Sequence, residues 1–244
     1  MQKLTFLAGI VALALTHPAL AAPGVGEKVY GATVEGGVTE VEARYGRLIG
    51  GDESGEDGLV LEIAHGFSDH FYGAVLAEFE REPGEDRELE AFALEAVVPL
   101  GRIESLGLDV AAYGEYEAVR EGSDAVETKL LLQHKRGPFD GRLNLIGEKA
   151  LHGGEPVEFG YAASADWQAF GEIRFGAAAF GQFGSARHLT THGEHFAGPI
   201  VKAEIEHLGP GELEIETGYL FAIGEARRET DGQLRLNLEY EFRF

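Results

Sequence analysis

From Gln233 to Phe244 apolar and polar side chains alternate without a break. Leu234, Leu236, Leu238, Tyr240, Phe242 and Phe244 form one row, and Gln233, Arg235, Asn237, Glu239, Glu241 and Arg243 form the other. A period of two is the signature of a pleated strand, and no helix keeps two such rows apart. The same alternation predicts earlier strands over Val38–Ile49, Leu59–Gly66, Phe71–Arg81, Glu88–Leu100, Leu106–Val119 and Val126–Lys135. Five more follow over Phe139–Leu151, Val157–Gln168, Glu172–Phe183, Phe196–Leu208 and Glu212–Ile223, making about twelve with the last. The connections between them alternate as well. Gly- and acid-rich stretches such as Gly50–Gly58, Gly184–His195 and Gly224–Gly232 exchange with tight Gly or Pro turns such as Arg136–Pro138 and Gly209–Gly211.

The two rows assign faces. Val75, Phe92, Leu94, Val98, Leu130, Leu213, Ile215 and Phe221 fall on an apolar face. On the opposite face fall Glu78, Glu115, Glu127, Lys129, Arg142, Glu148, Lys202, Glu204, Glu206, Glu212, Glu214, Glu216, Arg235 and Glu239, expected to line a polar lumen. A basic residue turned to lipid at mid-membrane costs about 2 to 4 kcal/mol, so this common parity is a physical constraint. The fold class expected is all-β: a single transmembrane antiparallel up-and-down barrel with short turns and both sheet ends on one side. Aromatic side chains gather toward two levels, Phe67, Phe71, Tyr72, Phe139, Trp167, Phe170 and Phe175 at one and Tyr45, Phe79, Tyr116, Phe180, Phe183 and Phe221 at the other. Two interfacial girdles are the expectation.

The ending LEYEFRF, with aromatics at Tyr240, Phe242 and Phe244, resembles the terminal insertion signal of Gram-negative outer-membrane β-barrel proteins of the porin-like kind. The resemblance implies location in the outer membrane, contact with its lipid, and recognition of the last strand by the barrel-assembly machinery. The amino terminus points the same way. Lys3, the apolar run Leu4–Leu15 and the small residues Ala19 and Ala21 around Leu20 read as a secretory signal peptide over residues 1–21, leaving 22–244 as the barrel. The run is shorter than the roughly 20 residues a membrane-spanning helix needs.

Charge narrows the function. The chain carries 20 basic and 42 acidic side chains, a net charge of −22 at pH 7, which opposes binding to the phosphates of nucleic acid. There is no Cys, hence neither disulfide nor thiolate chemistry. The expected lumen carries more carboxylates than cations, which favours small cationic solutes and makes a porin-like channel the leading reading. A non-conducting structural or ligand-binding barrel is the alternative, because twelve strands enclose less space than the 16 to 18 of the wide porins. An outer-membrane hydrolase ranks lower, since only Ser164 and Ser185 lie near a strand body or the outer rim, and no nucleophile motif surrounds them. No cofactor is expected. His188, His192 and His195 share one outer loop with Glu194 at a spacing where imidazoles can share a metal ion, a weak signal without residues to orient the rings.

Overall fold

The computed structural model describes residues 22–190 and 193–243. The signal-peptide segment, His192 and Phe244 lie outside the described residues. Among those residues no helix is long and apolar enough to cross a membrane; the chain is organised instead by strands.

Twelve long antiparallel strands form the wall: β1 Val38–Ile49, β2 Asp57–Ser68, β3 Phe71–Arg81, β4 Glu88–Ile103, β5 Leu108–Val119, β6 Ala125–Arg136, β7 Phe139–Ala150, β8 Glu158–Phe170, β9 Ile173–Ser185, β11 Glu194–Leu208, β12 Gly211–Gly224 and β13 Gly232–Arg243. A two-residue strand, β10 His188–Leu189, pairs only with the end of β9. Each long strand pairs with the next, β9 pairs with both β8 and β11, and β13 returns to β1 from Val38↔Arg243 to Ile49↔Gly232. Closure leaves no sheet edge exposed, which is what allows a sheet to lie in lipid. The predicted strands differ from these only at their ends. The Ala- and Gly-rich pair β8 and β9 carries register shifts at Phe159/Gly160 and Gln168/Phe170, but Ala162, Ser164 and Asp166 still point inward.

The outer face is apolar. Val75, Phe92, Leu94, Val98, Leu130 and Phe221 are exposed, with Phe67, Phe71, Trp167, Phe170 and Phe175 gathered near the short turns. Two residues expected in the girdles are elsewhere: Tyr72 and Phe180 are buried inside the barrel, because each shares the parity of the inward row of its own strand. Cysteines placed singly at Leu213, Ile215 and Phe221 should react with lipid-dissolved probes, and cysteines at Glu212, Glu214 and Glu216 with water-soluble ones. Equal labelling of both sets would remove β12 from the membrane wall.

The interior departs from a purely polar lumen. Leu48, Leu76, Leu131, Ile200, Leu220, Phe180 and Phe196 all point inward and are fully buried. Their partner is the stretch ahead of β1, for which the alternation predicts no element. Residues 22–37 run through the barrel as a strap, turned at 23–26 and without paired structure over 27–35, with Ala22, Val25, Tyr30 and Ala32 buried in its interior. At about 3.3 Å per residue the strap is more than long enough to pass a belt ~25 Å tall. Ala22 and Val25 pack with Leu48, Phe180, Phe196, Leu220 and Ala226 toward the long-loop end. Tyr30 and Ala32 pack with Leu76, Tyr72, Tyr113 and Leu131 toward the middle. Val25 sits so close to the wall that a Cβ on Gly46 would lie 3.0 Å from its Cα, and one on Gly58 2.9 Å from its Cγ1. The strap turns into β1 at Gly37, whose φ of +83° suits glycine, with the Gly37 N–H donating to Gly66 O at 2.7 Å.

Candidate functional site

The lumen is the candidate site, and it is built by cross-strand register. Five inward glutamates fall in line across five adjacent strands: Glu204 opposite Glu214, Glu214 opposite Glu239, Glu239 opposite Glu42, and Glu42 opposite Glu62. A second ladder crosses the opposite wall, with Glu95 opposite Glu115, then Glu127, Glu148 and Glu158 in turn. Like charges directly opposite on neighbouring strands repel, so these ladders stand only with cations among them.

The strap and the wall supply those cations. Lys28 Nζ bonds the Glu42 carboxylate and lies 3.6 Å from both Glu62 and Glu239, so one ammonium serves three rungs of the first ladder. Arg44 reaches Glu62 at 2.9 Å, and Lys202 lies 3.2 Å from Glu216 and 3.8 Å from Glu214. On the second ladder Lys129 holds Glu127 at 2.8 Å and stacks over the rings of Tyr30 and Tyr113. Arg142 pairs with Asp140 at 3.0 Å, and Arg174 with Asp166. Arg235 instead donates to the backbone carbonyls of Gly24 and Glu27 in the strap.

Other carboxylates gather around Glu115 and Glu204 of the ladders. Oxygens of Glu78, Glu115 and Glu117 lie within 4.8 Å of one another inside the barrel, and those of Glu172, Glu204 and Glu206 do so near the short-turn end. Glu212 stands opposite Glu241 beside this second group. The outer mouth is acidic too. Glu56, in the loop between β1 and β2, has its carboxyl pushed up to about 7, first by burial and then by the nearby Glu53, Glu80, Glu82 and Glu194.

No family model matches the sequence, and no curated protein does. Solved structures do. An outer-membrane channel from Pseudomonas putida F1 superposes with a TM-score of 0.59 at 13% identity, over 92% of this chain and 100% of that one. The KdgM porin in complex with disordered oligogalacturonate gives 0.55 at 11% identity over 84% and 99%, and the NanC porin 0.57 at 8% over 84% and 100%. The fold is that of the outer-membrane porins and channels.

Within this porin-like barrel fold the other sequence candidates separate. His195 pairs across the wall with Gly181 and turns to the outer face, its ring 5.9 Å from that of Tyr161, whereas His188 is exposed in β10. Ser185 caps a turn, accepting from the N–H groups of Arg187 and His188, and Ser164 is buried in the lumen opposite Arg142. Tyr240 stacks on Phe242 at 5.7 Å on the lipid side of β13. The strap is the functional element that strand periodicity does not reveal. One signal for it exists in the sequence: Leu48, Leu76, Leu131 and Leu220 interrupt the polar row, and apolar side chains there need something inside the barrel to pack against.

Proposed function

We propose that the protein is a small outer-membrane channel whose acidic lumen favours small cations over anions. The two in-register glutamate ladders carry this reading. Charges on a low-dielectric wall concentrate counter-ions and exclude co-ions, and here the carboxylates outnumber the cations set among them. The shared fold supports a channel, and the ladders set this lumen against a solute of the kind bound by the KdgM porin, since oligogalacturonate is a polyanion. Outer-membrane lipid surrounds the belt, and Tyr240, Phe242 and Phe244 present the last strand to the assembly machinery.

A second reading, a ligand-binding barrel without conductance, is favoured by one observation: the strap and the inward side chains fill the interior. Liposome swelling separates the two. Vesicles carrying the refolded protein should admit a small cationic amino acid faster than an anionic one of similar size. Equal exclusion of both, with the protein folded, selects the non-conducting barrel.

A further inference from the structure

Beyond the packing of its apolar side chains, the strap is held by wall side chains that bond its backbone. Asn144, fully buried on β7, grips Tyr30 from both sides: its Oδ1 accepts from the Tyr30 N–H at 2.8 Å and its Nδ2 donates to the Tyr30 carbonyl at 3.0 Å. Gln133 accepts from the Ala32 N–H at 3.0 Å, Gln233 donates to the Pro23 carbonyl at 2.8 Å, and Arg235 donates to the carbonyls of Gly24 and Glu27. Buried peptide groups require such partners, and wall side chains provide them where a neighbouring strand otherwise would. Side chains of the strap add to the recognition, Glu35 pairing with Arg243. Lys28 enters the pocket of Glu42, Glu62 and Glu239, and the Tyr30 hydroxyl donates to Glu95 at 2.8 Å.

We infer that the lumen is a binding site for an extended peptide bearing one central lysine, and that residues 22–35 are its tethered, exchangeable occupant. The geometry sets the direction of exchange. The strap is joined to the wall at the short-turn end, where the Gly36 N–H donates to Asp69 at 2.9 Å and Gly37 bonds Gly66. The long-loop end is roofed. Ala226 and Thr230 are buried there, and the Thr230 hydroxyl donates to the Ile49 carbonyl at 3.0 Å. The strap therefore withdraws through the short-turn mouth, the periplasmic side of such barrels, and swings about Gly36–Gly37. Withdrawal vacates the axis of the lumen, so the same movement opens the channel. That last step rests on the channel reading; the peptide site does not.

The test keeps the whole chain until after folding. A site-specific protease sequence inserted between Glu35 and Gly36 lets the folded barrel be cut at the tether, and a fluorescent peptide of residues 22–35 is then offered to it. Exchange of the labelled peptide into the cut barrel is expected, at least tenfold weaker for the same peptide carrying Lys28→Glu. A cut, folded barrel that takes up neither peptide, or both equally, overturns the inference. Exchange without any accompanying change in conductance upholds the peptide site and rejects the channel reading. Should the insertion prevent folding, the intact chain carrying Gly31→Cys reports the same event, because it has no other thiol. Adding Asn144→Ala should speed its reaction with a water-soluble maleimide at least tenfold, and an unchanged rate overturns the proposal.

Discussion

Replacing Lys28 with Met should lower the stability of the folded barrel by about 3 kcal/mol, the scale expected when one partner is removed from a buried ion network and the others are left unpaired. The Lys28 side chain is only 13% exposed, and its ammonium faces Glu42, Glu62 and Glu239, three consecutive rungs of one ladder. Removing it leaves those carboxylates opposite one another across β13, β1 and β2 with Arg44 as the nearest remaining cation, 2.9 Å from Glu62 and 3.6 Å from Glu42. The loss should appear first as local opening, with faster hydrogen exchange at the amides of Tyr30 and Ala32, and then as a lower urea midpoint. Adding Glu42→Gln to the same protein should recover a large part of it, because the repulsion is removed along with the missing cation. A urea midpoint unchanged by Lys28→Met would mean that the strap does not neutralise the ladder.

The second large effect concerns ion selectivity. Changing Glu204, Glu214 and Glu239 to Gln removes three rungs of the first ladder while sparing Glu42 and Glu62, two of the three carboxylates that hold Lys28 of the strap. The ratio of cation to anion permeability should fall by about tenfold, the lower end of the range over which a charged cleft raises local counter-ion concentration. The difference between the two proteins should shrink as salt rises, since the screening length is about 10 Å at 0.1 M. The shape of the residue is retained, so a change in unitary conductance without a change in selectivity would place the current path away from this ladder.

The wall was legible in the sequence because a strand in lipid leaves no freedom of parity. β1 and β3 fall on the predicted residues, Val38–Ile49 and Phe71–Arg81, and the other strands shift only at their ends. Lumen charges such as Glu115, Lys129 and Lys202 were readable for the same reason. Their alignment into ladders was not, because cross-strand register depends on the length of every turn between them. Tyr72 and Phe180 were assigned to the girdles by residue type and position along the strand, and parity places both inside. The strap's own residues show no period, and only Leu48, Leu76, Leu131 and Leu220 in the wall's polar row hint at it. It has no paired strand, its peptide groups bond to side chains over a hundred residues distant, such as Asn144, Gln133 and Arg235, and nothing local marks it.

The most direct measurement is the reversal potential, in a planar bilayer under a KCl gradient, of the refolded barrel carrying the protease sequence between Glu35 and Gly36, recorded with the strap in place and again after the tether is cut and the strap released. A potential of the sign set by potassium, with larger currents after release, is the expected result. A potential set by chloride, or the absence of current from the folded protein in both states, would contradict it.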